Sequence, residues 1–193
     1  MNILKRIKHG IGIFCHYYVK PNPAKLGYFG KKASLGIPAD LKNPHNIYLY
    51  DFARIGRRST IMTMGNSRFV MKRGCLTAEG LVVVTSNHRQ HIGQFLSGGN
   101  EDNEYKDVIV EEDVWIGINV TLLSGTHIGR GAIIGACSVV TKEIPPYAVA
   151  VGNPARVIKF KWSIEEIIKH EKTLYPESER FSVEELKRHR ENI

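Results

Sequence analysis

Residues 110–140 read VEEDVWIGINVTLLSGTHIGRGAIIGACSVV, and in this stretch an aliphatic residue returns at every sixth position. The aliphatic series consists of Val110, Ile116, Leu122, Ile128, Ile134 and Val140. The position four residues after each of these is mostly small or β-branched, the series being Val114, Val120, Thr126, Ala132, Ser138 and Ile144. An amphipathic helix would repeat near 3.6 residues and a half-buried strand would alternate every two, so neither is predicted. A period of six instead indicates a solenoid of short strands.

The same rhythm occurs earlier in the chain, in two further sets of hexads. The first set is Leu49, Ile55 and Ile61, with Ala53, Ser59 and Gly65 at the companion positions. The second set is assigned to Val70, Leu76 and Val82, with Gly74, Gly80 and Ser86 as companions. The step of nine residues from Ile61 to Val70 predicts an insertion of three residues at one corner. Three hexads complete one triangular coil, and we therefore expect about four coils over residues 47–161.

Each hexad is expected to supply one short strand and one turn. The aliphatic side chain points into the prism and stacks on its counterpart one coil away, while its companion must be small because a corner has little room. Glycine follows the aliphatic residue at Gly117, Gly129 and Gly135, where the turn needs positive φ or the backbone is crowded. Coils bury their apolar faces only by stacking, so three or more are required for stability.

Residues 1–46 and 162–193 lack this rhythm and flank the predicted β-helix. The N-terminal segment has Lys5, Arg6 and Lys8 before an apolar run over residues 10–19. No small-residue cleavage site follows that run, which disfavours a secretory signal and favours a segment that packs on the prism or on its neighbour.

The C-terminal segment has the signature of short helices. Ser163 and Glu166 form a capping box before isoleucines at helical spacing, and Pro176 ends that pattern. Ser182 and Glu185 offer a second capping box. We therefore predict a helical appendage over residues 162–193, bracing one end of the prism or the assembly.

Composition excludes some classes of protein and leaves others open. The longest apolar runs fall short of the roughly 18–20 residues that a membrane span needs, so integral membrane association is not expected. Cys15, Cys75 and Cys137 are odd in number and form no CxxC pair, which indicates reduced core thiols in a cytoplasmic protein. The net charge of +8 suits nucleic acid, anionic lipid or a phosphorylated cofactor. No aromatic-basic stacking motif supports nucleic acid, and none is expected as a partner.

Three motifs add a family resemblance to this pattern. They are Asp113-Val-Trp-Ile-Gly117, Ser138-Val-Val-Thr-Lys142 and the closing run Gly152-Asn-Pro-Ala-Arg-Val-Ile158. Together they resemble the hexapeptide-repeat acyltransferases, in the branch of maltose, galactoside and xenobiotic O-acetyltransferases. The resemblance covers residues 49–161 and implies a mainly β fold, a single-stranded left-handed parallel β-helix. It also implies a homotrimer with active sites between subunits, acetyl-CoA as the acyl donor, a small hydroxyl-bearing acceptor and no metal.

The rhythm stops after Val82 and resumes at Val110, and residues 86–107 are predicted to form a protruding loop. In the resembled family a histidine at the root of this loop is the general base, and His88 stands at that position. An imidazole suits the role because its ordinary pKa, about 6.5, lies near working pH. His91 is the local alternative. Arg89 stands where the sugar enzymes often have proline, which leaves the acceptor open between a sugar and an antibiotic.

The resemblance also implies a groove for the acyl donor between two prisms. Trp115, just before the inward Ile116, should lie outside the prism beside the reactive end of the donor, or serve only as an interface aromatic. By alignment of the motifs, the other groove residues are Ile118, Ala136, Thr141, Lys142, Arg156 and Lys159. The cations would contact phosphates, although each could equally be a solvated surface residue.

Asn66 and Asn87 are the candidates for binding the acceptor hydroxyls, although a turn asparagine explains Asn66 equally well. The loop differs from those of the antibiotic enzymes, which favours a surface-polysaccharide sugar over a streptogramin. A non-catalytic scaffold on the same fold remains an alternative. A zinc enzyme of the carbonic anhydrase type is disfavoured, because His88, His91 and His127 lack the spacing of a three-histidine site.

Overall fold

The computed structural model describes residues 3–19, 22–97 and 102–191, and most of them wind into a parallel β-solenoid. The strands of the first three coils are β1 (Tyr28–Phe29), β2 (Ser34–Leu35), β3 (Ala39–Lys42), β4 (Ile47–Leu49), β5 (Arg54–Ile55), β6 (Ser59–Met62), β7 (Phe69–Met71), β8 (Leu76–Thr77) and β9 (Val82–Val84). A hairpin of β10 (Ser86–His88) and β11 (Asn103–Tyr105) interrupts the winding. The later strands are β12 (Val108–Val110), β13 (Trp115–Ile116), β14 (Thr121–Leu122), β15 (His127–Ile128), β16 (Ile133–Ile134), β17 (Val139–Val140), β18 (Ala148–Val151) and β19 (Arg156–Phe160).

The first, second and third strands of successive coils stack into three sheets. The first sheet is β1-β4-β7-β12-β15, the second is β2-β5-β8-β13-β16-β18 and the third is β3-β6-β9-β14-β17. Pairing is parallel throughout, except that β19 turns back antiparallel on β18. A bridge from Ile128 to Ile144 begins a further turn. The solenoid makes about six turns and fits the left-handed β-helix expected from the sequence.

The inward positions predicted for residues 110–140 are confirmed, since all six aliphatic side chains are buried. Leu49, Met71, Val110 and Ile128 occupy one register in the first sheet, each stacked on the next. Such stacking buries each aliphatic residue against the coils above and below, which contributes roughly 1.5–3 kcal/mol per side chain.

The corners explain the six-residue period from the backbone side. A residue with positive φ recurs at every sixth position, whether or not it is glycine: Asp113, Asn119, Gly125, Gly131 and Cys137. The glycines that follow the aliphatic residues allow the backbone of the next coil to approach closely, which is the second role predicted for them. A Cβ on Gly117 would lie 2.7 Å from the amide nitrogen of Ala136, and one on Gly129 would lie 2.5 Å from that of Pro146.

The third coil has a different phase from the predicted one. Met71, Thr77 and Val83 are buried there, whereas the predicted inward residues Val70, Leu76 and Val82 are not, and Leu76 is 47% exposed. The step from Ile61 is therefore ten residues, with four extra residues at the corner and not three. The run of three valines at 82–84 fits either phase, and a one-residue shift moves every side chain to the other face.

The solenoid also begins earlier than residue 47. Strands β1, β2 and β3 pair in parallel register with β4, β5 and β6, so a complete coil lies within the predicted N-terminal segment 1–46. Its inward residues Phe29, Leu35 and Leu41 do stand six apart, in register with Leu49, Ile55 and Ile61. The step of eight residues from Leu41 to Leu49 breaks the series, which is why this coil was not predicted from the sequence.

Helix α1 (Ile3–Tyr18) precedes the solenoid and lies against β3. The helix covers both the basic stretch and most of the apolar run, and it continues through Gly10 and Gly12. Among the described residues, no helix is long and apolar enough to cross a membrane.

The C-terminal appendage contains α2 (Ile164–Leu174) and α3 (Val183–Glu191). Both predicted capping boxes are present: Ser163 Oγ accepts from the Glu166 amide, and Ser182 Oγ accepts from the Glu185 amide, each at 3.2 Å.

A buried ionic cluster joins α2 to the solenoid. Glu171 is fully buried and accepts from Tyr147 Oη at 2.8 Å, from the Phe181 amide at 2.7 Å and from Arg130 Nη1 at 3.2 Å. The Arg130 guanidinium also lies over the Tyr175 ring, 4.0 Å from its centroid. One carboxylate therefore ties the solenoid, α2 and the segment before α3 together.

The three cysteines do not share one environment. Cys75 is buried, and burial raises the pKa of its thiol to about 12. Cys15 and Cys137 are exposed, so the expectation that all three are core thiols is wrong for these two. Cys137 occupies a positive-φ corner, where the side chain turns away from the prism.

Candidate active site

The predicted loop 86–107 leaves the third coil as an antiparallel hairpin. Strand β10 follows β9 directly and pairs with β11, with His88 opposite Asn103. Residues 98–101 of the loop lie outside the described residues. The hairpin places His88 on an exposed strand at the corner where the third sheet passes into the first.

His88 lines a small cavity formed within the hairpin. The cavity is lined by His88, Arg89, His91, Gln94, Phe95, Leu96 and Asp102. In the described part of the chain, no side chain is hydrogen-bonded to the His88 ring. His91 differs, because its Nε2 lies 3.0 Å from Asp102 Oδ2. Arg89 Nη1 lies 3.8 Å from the same oxygen, and the Arg89 amide donates to the Asp102 carbonyl at 2.8 Å.

Asp102 and the apolar residues of the loop are features that the sequence reasoning missed. Ile92 and Phe95 are almost fully exposed, and Leu96 is exposed as well. Exposed apolar side chains that form a contiguous patch are typical of a surface that contacts a ligand or another chain. The sequence signal was available, since the run His91-Ile-Gly-Gln-Phe-Leu96 is apolar within an otherwise polar loop.

The two candidate acceptor residues lie near the hairpin but in different positions. Asn66 is exposed on the turn between β6 and β7, next to Ser67, whose hydroxyl is 2.6 Å from Thr85 Oγ1 at the start of the hairpin. Asn87 precedes His88 on β10, and alternation along a strand puts their side chains on opposite faces of the hairpin. The structure therefore places the Asn66 turn at the hairpin base and Asn87 on the face away from the His88 cavity.

Trp115 lies on the outer face of the second sheet, as predicted, with 52% of its surface exposed. Its register partners are Leu76 on one side and Ile133 on the other. The ladder continues from Ile133 to Val149, and Val149 is paired with Lys159 on β19. Since residues directly opposite on paired strands share a face, an apolar stripe runs from Leu76 past Trp115 to Lys159. We name this row of outward residues the donor ladder, because the family resemblance implies that the acyl donor would lie there.

Ile118 and Ala136 stand at the same corner of adjacent coils, between the second and third sheets. The Cys137 amide donates to the Ile118 carbonyl at 2.8 Å, and both predicted groove residues are exposed. Arg156 lies opposite Val151 on β19, near the same corner. These three residues therefore flank the donor ladder on one side.

Thr141 and Lys142 lie elsewhere. They directly follow β17, at the corner where the third sheet passes into the first, and both are exposed. The hairpin of His88 leaves the same corner after β9, two strands away in the same sheet, a spacing of about 10 Å.

The predicted site residues thus fall into two groups on one chain. Trp115, Lys159, Ile118, Ala136 and Arg156 lie on or beside the second sheet, whereas His88, Asn66, Thr141 and Lys142 lie at the far corner of the third sheet. A single chain therefore does not bring the candidate base to the donor ladder.

His127 belongs to a separate row of charges along the first sheet. Glu111 lies 3.0 Å from His127 Nε2 and 2.7 Å from Lys72 Nζ, each on a different coil. Burial would raise the pKa of Glu111, but the hydrogen bonds from His127 and Lys72 outweigh burial and lower it to about 2. The hydrogen bond to Glu111 raises the pKa of His127. Within residues 3–19, 22–97 and 102–191, no group of three or more histidine, cysteine or acidic side chains is placed to hold a metal ion.

Comparison with known proteins supports the class that this fold defines. Residues 107–142 match the family described as bacterial transferase hexapeptide (six repeats). The chain thus carries the hexapeptide repeat on a parallel β-solenoid, and the predicted resemblance to the hexapeptide-repeat acyltransferases is confirmed.

Three individual proteins illustrate the resemblance. A probable macrolide acetyltransferase of Lysinibacillus sphaericus is 51% identical over 61 residues, which cover 32% of this chain and 34% of that protein. A galactoside acetyltransferase in complex with coenzyme A superposes with a TM-score of 0.66 at 23% identity, covering 93% of this chain and 88% of that one. A hexapeptide-repeat acetyltransferase of Vibrio cholerae O1 biovar eltor, complexed with acetyl coenzyme A, superposes with a TM-score of 0.65 at 20% identity over 83% of this chain and 90% of that one. The chain spans about a third of the length of the curated relatives it matches.

Proposed function

We propose that this protein is an acetyl-CoA-dependent O-acetyltransferase that transfers an acetyl group to a sugar hydroxyl, with His88 as general base. The observation that carries the proposal is the ring of His88, which is exposed on a protruding hairpin and is not engaged by any other described side chain. An imidazole presented in this way is available to a substrate hydroxyl, and its role needs no covalent enzyme intermediate.

The donor would lie along the donor ladder. Two solved structures of similar fold contain coenzyme A or acetyl coenzyme A. The stripe from Leu76 past Trp115 offers an apolar surface for the pantetheine arm, and exposed Ala136 leaves room for close approach at the neighbouring corner. Lys159 and Arg156 at its end supply cations for the phosphates of the donor.

The transfer balances with His88 alone as the proton carrier. His88 takes the proton of the acceptor hydroxyl while that oxygen attacks the thioester carbonyl. The tetrahedral intermediate then collapses, the carbon–sulfur bond breaks, and the imidazolium returns the proton to the departing thiolate. The products are the acetyl ester and free coenzyme A.

A homotrimer would unite the two groups of residues that one chain keeps apart. In a three-fold assembly, the His88 hairpin of one subunit can face the donor ladder of the next. The exposed apolar residues of the hairpin and ladder, Phe95 and Trp115 among them, fit contacts of this kind. We therefore place the active site between subunits.

A second acceptor class has a specific observation in its favour. The relative with 51% identity over 61 residues bears the name of a probable macrolide acetyltransferase. A hydroxyl-bearing antibiotic is therefore the alternative to a surface-polysaccharide sugar. Both reactions would use cytoplasmic acetyl-CoA and the same base.

The test is release of free thiol from acetyl-CoA against a panel of acceptors, comprising nucleotide sugars, simple glycosides, macrolides and streptogramins. We expect acceptor-dependent thiol release with at least one sugar, and a product heavier by one acetyl group in mass spectrometry. Turnover only with antibiotics would move the assignment to the alternative acceptor. If no acceptor in the panel gives turnover, the result would favour a non-catalytic scaffold, whether or not the protein binds acetyl-CoA.

A further inference from the structure

Helix α1 presents an apolar arc that is largely exposed. At about 100° per residue, Ile3, Leu4, Ile7, Ile11, Phe14, Cys15 and Tyr18 fall within an arc of about 120°. The side chains of Ile3, Ile7 and Phe14 are each more than half exposed. The rings of Phe14 and Tyr18 stack on each other at 5.3 Å on this arc.

The helix meets the solenoid near its C-terminal end. Ile13, which lies outside the arc, and Tyr18, which lies on it, line a groove with Ala39 of β3 and Ser59 of β6. The C-terminal half of α1 therefore rests on the first two coils of the third sheet. Ile7, Ile11 and Phe14 do not line that groove, and each is more than half exposed.

The charges around the arc are of one sign. Helix α1 contains Lys5, Arg6 and Lys8 and no acidic residue. On the helical wheel Lys8 borders one edge of the arc and Arg6 borders the other, while Lys5 lies near the opposite side. Long basic side chains at the rims of an apolar arc can extend to phosphate groups while their stems remain in an apolar layer.

The helix also needs a surface for its own stability. A helix of 16 residues is marginal in water, and Gly10 and Gly12 each weaken it by roughly 0.5–1 kcal/mol relative to alanine. A Cβ at either glycine would meet no atom within 4 Å, so packing on the solenoid does not require them.

We propose that α1 docks this protein on the surface of an anionic lipid bilayer, with the Ile3–Ile7–Phe14 arc inserted among the acyl chains. The net charge of +8 adds long-range attraction to such a surface. The helix lies on the third sheet, the sheet from which the His88 hairpin leaves, so docking would bring the candidate active site close to the bilayer. Docking itself does not depend on the proposed catalytic function.

The experiment is co-sedimentation of the full-length protein with vesicles of phosphatidylcholine alone and of an equal mixture with phosphatidylglycerol. We expect binding to the anionic vesicles, weakening as salt is raised. Ile7→Asp should reduce the partition coefficient by roughly tenfold or more, since it removes one inserted aliphatic side chain. Leu174→Asp is the matched control: it makes the same change of charge at an exposed leucine on α2 and should bind as the wild type does.

Two results would overturn the proposal. One is wild-type protein that stays in the supernatant with anionic vesicles at low salt. The other is an Ile7→Asp variant that binds as well as Leu174→Asp does. If the wild type does not bind vesicles, and light scattering shows that Ile7→Asp forms a smaller assembly than the wild type, the arc instead packs against a second copy of the chain. Acceptor-dependent thiol release in solution should be unchanged in Ile7→Asp, which separates docking from catalysis.

Discussion

His91 Nε2 and Asp102 Oδ2 lie 3.0 Å apart inside the hairpin, in the same small cavity that His88 lines. The carboxylate holds the His91 ring and fastens the start of the hairpin to its return strand. The His88 ring has no such partner among the described side chains. Two histidines three residues apart therefore differ in their surroundings, and only His91 is held by a carboxylate among the described side chains.

We therefore expect His88→Ala to lower kcat by on the order of 10²–10⁴, the contribution of a positioned general base. The KM for acetyl-CoA should change little, because the proposed donor site lies on a different face of the chain. Steady-state thiol release at saturating acceptor measures both values.

His91→Ala and Asp102→Asn are the matched variants for this prediction. Each loosens the hairpin without removing the base, so we expect a rise in the acceptor KM and less than a tenfold loss of kcat. A His91→Ala variant that loses more kcat than His88→Ala would exchange the roles of the two histidines.

Lys159 offers a test of the donor ladder. Lys159→Ala should raise the KM for acetyl-CoA by roughly fivefold with kcat nearly unchanged, since a phosphate contact contributes about 1 kcal/mol at a surface. Raising the salt concentration should shrink the difference from the wild type. Lys172→Ala, another exposed lysine but on α2, is the control and should leave the KM unaltered. An equal effect of both changes would remove Lys159 from the donor site.

The solenoid was predictable because its strongest signal is local. From Val110 to Val140 every sixth residue is aliphatic, and each of these side chains is buried. The predicted phase of the hexads was wrong in the third coil, where the outward Leu76 is more apolar than the inward Thr77. Local hydrophobicity cannot decide such a position, because the outward face of the second sheet is itself apolar.

The candidate site was predictable only as separate residues. Sequence motifs pointed to His88 and Trp115, but which corner each occupies depends on how many residues fill each turn. The ion pair of Asp102 with His91 could not be inferred, since it requires the hairpin register of β10 with β11. Contacts formed across a loop are set by pairing between distant residues, which no periodic pattern encodes.

The corrected phase can be tested by stability. Met71→Ala should lower the free energy of unfolding by about 2–5 kcal/mol, because it leaves a cavity in a fully buried stack. Val70→Ala, the neighbouring change at a partly exposed position, should cost about 1 kcal/mol or less. Denaturant unfolding followed by circular dichroism measures both. A larger loss for Val70→Ala would restore the phase first predicted from the sequence.

The row of Lys72, Glu111 and His127 predicts a pH dependence of stability. The pKa of Glu111 is lowered to about 2, so its contribution is present above its ordinary value of 4.5 and is lost as the pH falls toward 2. The pKa of His127 is raised, so its contribution is complete below 6.5 and is lost as the pH rises through the raised value. Both contributions are therefore present between about pH 5 and 6.

Melting temperatures of the wild type and of His127→Gln, measured across pH 4 to 9, test this dependence. The difference between the two proteins should be largest near pH 5 to 6 and should decrease above the raised pKa of His127. His45→Gln, on a short turn outside this row, should follow the wild-type curve. A constant difference at all pH values would show that the His127 ring contributes through packing and not through charge.

The buried carboxylate of Glu171 should be the most sensitive point of the C-terminal appendage. Glu171→Gln removes the nearer of the two carboxylates that face Arg130, the other being Glu112 at 3.5 Å, while keeping the shape of the side chain. The change should cost about 3 kcal/mol. For a chain of this size such a loss lowers the melting temperature by on the order of 10 °C. Glu177→Gln makes the same chemical change at an exposed position and should shift the melting temperature by about 1 °C or less. Because Glu171 also accepts from the Phe181 amide, the variant should release α3 first, and amides of residues 183–191 should lose hydrogen-exchange protection before those of the solenoid. Loss of protection spread evenly over the whole chain would mean that the solenoid itself depends on the cluster.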